Sequence, residues 1–329
     1  MIPFSYSRAS DVGAAVAEVA AEPGAAFIAG ATELANWMKI GIQAPTHLVD
    51  INALPLSEIA VRQDGLRLGG LARMSDVATT PAIRQGYPVL SEALERGASA
   101  QIRNMGTMGG NLLQRTRCPY FREASYPCNK REPGAGCAAL TGPHRLHAIF
   151  GASDACIAVH PSDLAVALTV LDAVVHTQSP GAERAIPIGE LYRPPGDTPD
   201  RETALEHGEL IVAVEIPAAP FAARSHYLKI RDRESYEFAL VSVAACLELD
   251  GPDKVVRSAR VALGGVAYTP WRAQAAEDAL VGKPLTEASV AAARAAAVQG
   301  AQPRRDTGFK VTLAERAVVR ALTTIGERP

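Results

Sequence analysis

The stretch from Thr107 to Cys137, TMGGNLLQRTRCPYFREASYPCNKREPGAGC, constrains this chain more than any other. It opens on adjacent glycines, which allow close backbone approach to a ligand and bare successive N–H groups able to bind an anion such as phosphate. It continues as a loop in which prolines, glycines and basic residues surround Cys118, Cys128 and Cys137, with no apolar periodicity to bury it. Thiols gathered by such a loop ligate a metal or an iron–sulfur cluster. The spacing is C-x9-C-x8-C, with eighteen residues between Cys137 and Cys156. Zinc fingers pair their ligands more closely, and ferredoxins use C-x2-C runs. A buried cysteine is commonly a small hydrophobe, which suits Cys246 in SVAACLEL but not the loop cysteines beside Arg117, Pro119, Asn129, Lys130, Pro133 and Gly136. Cys156, in ACIAVH, is the candidate fourth ligand, with His144, His147 or His160 as alternatives. The basic residues Arg115, Arg117, Arg122, Lys130 and Arg131 would offset the charge of a thiolate-ligated cluster.

Composition narrows the partners. With 329 residues, 48% hydrophobic and 21% charged, the chain is long enough for two domains and a sizeable core. A net charge of −2 and 5% aromatics give neither a positive field nor stacking platforms for nucleic acid. The N-terminus, MIPFSYSRASDV, lacks the basic and apolar regions of an export signal, and no run of eighteen apolar residues marks a membrane span. The expected compartment is the periplasm, reached by export together with a signal-bearing partner, or the cytoplasm. Five cysteines, an odd number in a chain of this size, fit ligands plus a spare better than a disulfide framework.

Elsewhere, Asp11 to Ala21 reads as a helix and AAFIA as a buried strand. Gly30-Ala31-Thr32 then opens a helix, ELANWMKI, that stops at Gly41. Strand, small-residue turn and helix N-terminus together suit a phosphate, although many such turns use glycine only for backbone freedom. THLVDI and LRLGGLA read as strands, Asp76 as the cap of a helix, and Pro88 to Gly97 as another helix. Neither glycine turn carries G-x-G-x-x-G, and no strand–helix–strand rhythm is read around them, which disfavours a Rossmann site. After Asp163, near a helix start, LAVALTVLDAVV runs from helix to strand, and ELIVAVEIP is a strand. Composition shifts at PAAPFAARS; antiparallel strands follow, then helices at Trp271 to Val281, Glu287 to Gln299 and Phe309 to Leu322, an α+β order.

The segments FIAGATELA, IRNMGTMGGN, HPSDLA and YLKIRDRESYEFALVSVA, in this order, resemble the FAD-binding medium subunit of the xanthine dehydrogenase and aldehyde oxidase family of molybdenum hydroxylases. The likeness spans essentially the whole chain. With the cysteine loop, it resembles most the flavin subunit of bacterial periplasmic aldehyde oxidoreductases, which carries an additional 4Fe-4S cluster, as does the flavin subunit of 4-hydroxybenzoyl-CoA reductase. The fold class implied is α+β: a two-subdomain FAD-binding domain of the vanillyl-alcohol-oxidase (PCMH) type over 1–220, then a smaller α+β domain of the CO dehydrogenase flavoprotein type over 221–329. The subdomains would be about 1–55 and 56–220, with the iron–sulfur loop at 115–157.

Carried over residue by residue, the likeness puts Ile28, Ala29, Gly30, Ala31, Thr32, Glu33 and Leu34 around the FAD pyrophosphate, with Thr107, Gly109, Gly110 and Asn111 on its other side. Asp163 would lie near the ribose or adenine half, and Ile211 and Lys229 near the isoalloxazine. Cys118, Cys128, Cys137 and Cys156 would ligate the 4Fe-4S cluster. Ala31 stands where the family commonly has a second glycine, and Glu33 brings a carboxylate to the phosphates, so it must point away or pair with a cation. The implied partners are a large molybdenum-cofactor subunit and a small 2Fe-2S subunit in a heterotrimer, with an external electron acceptor. The aldehyde would be oxidised on a partner chain, and the flavin would convert single electrons to pairs. A self-contained flavin oxidase and a zinc-stapled structural or adaptor protein are the alternative readings.

Overall fold

The computed structural model describes residues 1–328. Its N-terminal part alternates strand and helix. Strands β1 (Ser5–Arg8), β2 (Ala25–Ile28) and β3 (His47–Asp50) form a parallel sheet in the order β1-β3-β2. The helix Val12–Ala21 connects β1 to β2, and Leu34–Lys39 connects β2 to β3. Asp11 caps the first helix, its Oδ1 accepting from the Ala14 amide at 2.8 Å, and Ala15, Val16 and Val19 are its buried residues. This corrects the sequence reading: a strand–helix–strand rhythm does surround the Gly30 turn. The polar edge strand β1, exposed along most of its length, has no apolar run to mark it as the first strand of that sheet.

A five-stranded antiparallel sheet follows, built from β4 (Ile59–Arg62), β5 (Gly65–Gly69), β6 (Val174–Ser179), β7 (Ala182–Pro187) and β8 (Leu210–Pro217), in the order β4-β5-β8-β6-β7. The two strands missing from the sequence reading, β4 and β7, are its edges. Edge strands are largely solvated, and β7 buries only Ile186. Leu66, Leu68, Val214 and Ile216 share a buried core with the helices Met74–Thr79, Pro88–Arg96 and Asp163–Val170. Asp76 lies within the first turn of its helix, whose N-cap position is Arg73. Ser162, not Asp163, caps the Asp163 helix, its hydroxyl accepting from the Ala165 amide at 3.0 Å.

The remaining strands, β9 (Ser225–Ile230), β10 (Val241–Asp250), β11 (Val255–Gly264) and β12 (Trp271–Arg272), form an antiparallel sheet ordered β12-β11-β10-β9. The helices Gln274–Leu280, Glu287–Ala297 and Phe309–Glu327 pack on it, and Ala314, Ala317, Val318 and Ala321 join its core. Trp271 belongs to β12 rather than to a helix, pairing with Leu263 and stacking on Phe150 with ring centroids 4.6 Å apart. Helix Asp163–Val170 packs against β10 and β11, so it is shared between the two antiparallel sheets. No helix among the described residues is long and apolar enough to cross a membrane.

One charge is built into this core. Lys310, fully buried in the first turn of the last helix, donates through Nζ to the carbonyls of His147 at 3.0 Å and Gly265 at 2.7 Å. Burial first, then the Arg145 charge, pushes its pKa down to about 7. Between that value and the unfolded lysine range near 10.4 the unfolded chain binds the extra proton, so this residue makes stability rise with pH. Replacing it in Lys310→Met removes that rise. The gap in Tm between wild type and variant is expected to shift in favour of wild type from pH 7 to 10 in a thermal-unfolding series, and a gap independent of pH would overturn the assignment.

Candidate functional site

The first glycine turn leaves β2 at Ile28. Its amides from Gly30 to Glu33 donate to no carbonyl or side chain among the described residues, while the carbonyls of Ala31 and Glu33 start the next helix by accepting from Ala35 and Trp37. Unpaired amides in a turn are anion donors. Ala31 holds φ +58°, the left-handed conformation that makes glycine common there. Gly30 has no room for a side chain: a Cβ would lie 1.9 Å from the Met105 carbonyl oxygen. Arg73 donates to that same oxygen and, at 2.9 Å, to Asn52 Oδ1, while Asn52 Nδ2 donates to Ala29 O at 3.1 Å. Sequence reading missed Asn52 and Arg73, which have no motif to mark them.

The second glycine segment is not an open turn. Thr107 caps a short helix, Met108–Leu112, its hydroxyl accepting from the Gly110 amide at 3.1 Å. Gly109 is small for a protein contact: its N–H donates to Gly70 O at 2.9 Å, and a Cβ would crowd that same oxygen at 3.2 Å. Asn111 Oδ1 accepts from Ser162 at 2.6 Å, tying this helix to the one that begins at Asp163. Asp163 is in turn held by Tyr227 Oη at 2.6 Å and Lys229 Nζ at 2.7 Å, residues two apart on one face of β9. The Lys229–Asp163 pair is almost wholly buried. Asp163 and Lys229 therefore sit at one place in the site.

These elements enclose a single cleft of about 950 Å³, in the upper range for a ligand pocket. Its walls include Ile28, Ala29, Gly30, Ala31, Thr32, Glu33 and Leu34 on one side, and Thr107, Gly109, Gly110, Asn111, Asp163, Ile211 and Lys229 on the other. Glu33 does pair with a cation: Arg117 grips its carboxylate with both terminal nitrogens, Nη2 to Oε2 at 2.7 Å.

The cysteine loop forms an adjoining wall. Cys128 and Cys137 face each other in an antiparallel bridge, closed by Asn129 N to Gly136 O at 2.7 Å. Asn129 Nδ2 donates to Ala155 O at 3.0 Å, drawing the bridge to Cys156. Cys118 packs beside Cys156 and Tyr268, and its Sγ lies 3.2 Å from His147 Nε2. All five cysteines are free thiols. Burial pushes the Cys118 thiol up to about 12 and Cys156 up to about 11, and the neighbouring thiols add to both shifts. Burial likewise pushes His147 down to about 4. No group of three or more His, Cys, Asp or Glu side chains among the described residues could hold a metal ion as the side chains stand. The basic run is largely committed to protein: Arg115 and Lys130 to Glu202, Arg117 to Glu33, and Arg131 to the carbonyls of Tyr120 and Phe121. Cys246 is buried in β10, away from the loop.

Residues 2–219 match the family of FAD binding domains in molybdopterin dehydrogenase, and residues 226–325 the CO dehydrogenase flavoprotein C-terminal domain. The chain belongs to the FAD-binding medium subunits of the molybdenum hydroxylases. It is 49% identical over 324 residues to the aldehyde oxidoreductase FAD-binding subunit PaoB of Escherichia coli (strain K12), with 98% of each chain covered. Carbon monoxide dehydrogenase from Hydrogenophaga pseudoflava shares 28% identity and a TM-score of 0.76, with 99% of each chain covered. Quinoline 2-oxidoreductase from Pseudomonas putida 86 shares 25% identity and a TM-score of 0.77, with 99% of this chain and 98% of that one covered. As a medium subunit of this family, the chain is an FAD-binding part of an oxidoreductase complex. Its two-part architecture, an FAD-binding domain followed by a smaller domain, is the family's.

Adjacent positions in the first turn should respond oppositely to substitution. Gly30→Ala drives a methyl into the Met105 carbonyl, an overpacking worth about 1–3 kcal/mol, and should lower both Tm and bound FAD. Ala31→Gly relieves about 1 kcal/mol of left-handed strain and adds a comparable chain-entropy cost, so FAD content should hold within error. Retention of FAD by the first variant, or its loss from the second, would contradict this account.

Proposed function

We propose that this subunit binds FAD in the cleft, with a 4Fe-4S cluster in the cysteine loop. It would carry electrons from molybdenum and 2Fe-2S partner subunits of an aldehyde-oxidising complex to an external acceptor. The observation that carries the reading is that the Gly30 turn, the Thr107 helix and the Asp163–Lys229 pair line one cleft. The unpaired amides of Gly30 to Glu33 fit a pyrophosphate, and the name of the 49% identical relative supports the aldehyde assignment. When bound, FAD supplies a carrier able to exchange electrons singly or in pairs.

The chain's own residues bind and orient it. On this reading Ile28 to Leu34 wrap the pyrophosphate, while Thr107, Gly109, Gly110 and Asn111 shape the opposite wall. The buried ion pair of Asp163 and Lys229, with Ile211 nearby, fixes one end of the cofactor. Neither His160 nor Asp163 is free to act as a general base on an organic substrate. Burial pushes His160 down to about 3, and Asp163 is held by Tyr227 and Lys229. Substrate chemistry then belongs to a partner, which sets aside the self-contained oxidase.

Cys118, Cys128, Cys137 and Cys156 are the proposed cluster ligands. Their support is that they are free, that the loop hydrogen bonds gather them, and that Cys118 and Cys156 each feel the charge of other members of the set. A four-iron cube holds its thiolates further apart than one ion holds its ligands, so the absence of a single-ion group is compatible with it. Purified with co-expressed partners, the wild-type complex should contain FAD, molybdenum and about four irons beyond those of the 2Fe-2S subunit. Cys128→Ser should lose that extra iron and the broad visible absorption it gives. Unchanged iron would sink the ligand assignment, and a colourless preparation containing zinc would sink the whole reading in favour of a stapled adaptor.

A further inference from the structure

We propose that Arg122, delivered by the cysteine loop, is the cation that meets the pyrophosphate of FAD; the inference rests on the cofactor site proposed above. It begins from the carboxylate at the turn. Glu33 follows the amides of Gly30 to Thr32 and faces the same cleft. Left alone, it would repel a phosphate. Arg117 neutralises it through both nitrogens, is itself held by the Arg115 carbonyl at 2.5 Å, and lies over the Phe238 ring at 4.7 Å. That pair uses up one positive charge and leaves none for a ligand.

Arg122 lines the same cleft and is uncommitted. Its Nη1 is buried without a hydrogen-bond partner, alone among the arginine nitrogens of the described residues. The other loop cations have their partners within the protein. Arg115 pairs with Glu202 and lies over Phe121 at 4.5 Å, and Lys130 reaches Glu202, Tyr268 and the Pro199 carbonyl. Leaving a guanidinium donor buried and unpaired is costly, while a forked, delocalised cation matches phosphate oxygens. Glu33, Arg117 and Arg122 together leave one net positive charge beside the unpaired turn amides, which offsets half the charge of a dianionic pyrophosphate and leaves the rest to the amides.

The placement also ties the flavin cleft to the thiols. Arg122 ends the short helix Pro119–Arg122, and its own N–H donates to Cys118 O at 3.1 Å. Arg131 pins that helix by donating to Tyr120 O at 2.5 Å and Phe121 O at 2.7 Å. The geometry of the loop thus sets the position of the guanidinium.

The test uses the full complex with Arg122→Gln and Arg122→Lys, stripped of flavin and titrated separately with FAD and with riboflavin, which lacks phosphate. Arg122→Gln should weaken FAD about 10- to 100-fold, the range of a charge-assisted hydrogen bond, with Arg122→Lys intermediate. Riboflavin affinity and iron per complex should match wild type. Equal losses for riboflavin and FAD, or a shifted flavin midpoint potential with unchanged FAD affinity, would overturn the proposal by placing the guanidinium at the ring. Loss of iron together with FAD would overturn it too, marking a brace for the loop. Failure of the wild-type complex to take up any FAD would instead refute the cofactor site itself.

Discussion

The carbonyl of Met105 and the missing side chain of Gly30 form the contact on which the cleft depends. A Cβ at Gly30 would lie 1.9 Å from that oxygen, so the turn after β2 rests directly on the end of the helix Ala100–Met105. Asn52 and Arg73 extend the contact, linking Ala29 O to Met105 O through side-chain hydrogen bonds. The turn after the parallel sheet is thereby held against the helices of the five-stranded sheet, and the cleft opens beside this contact. The amides of Gly30 to Glu33 are left without an acceptor among the described residues.

The second constraint is the helix Asp163–Val170, which both antiparallel sheets share. Ser162 joins its start to Asn111, and Tyr227 and Lys229 of β9 close on Asp163 from the C-terminal domain. Breaking a buried ion pair by removing one partner typically costs several kcal/mol, which makes this junction stiff. The smaller domain is therefore part of the cleft wall, and a charge from one domain fixes a helix of the other.

What was legible in the sequence was whatever local chemistry signals. Small residues at Gly30 and Thr107 to Asn111, and cysteines among turn formers, have no good apolar explanation, and the alternating strands and Ala-rich helices follow their periods. Edge strands β4 and β7 were illegible because solvated strands carry polar residues. The first strand of the parallel sheet is equally illegible, because β1 is four residues long and mostly exposed. The glycines of the second segment were assigned to a turn because glycine signals freedom, whereas here Gly109 serves a close helix–strand contact at ordinary φ. Asn52, Arg73 and Tyr227 act only through tertiary partners, and nothing in their neighbours' identities announces that.

The charges of the cysteine loop show how far a local reading extends. Five basic residues beside three thiols suggest compensation for an anionic cluster, yet four of the five are spent on Glu33, Glu202 and backbone carbonyls. Burial meanwhile holds the Cys118 and Cys156 thiols protonated at neutral pH, at about 12 and about 11. Loop cations so committed cannot also stabilise thiolates; in the cluster reading proposed above, the metal would have to displace the protons, since a coordinated thiol is deprotonated outright. Arg122, the fifth, instead lines the cleft beside the Gly30 turn, with its Nη1 buried and unpaired.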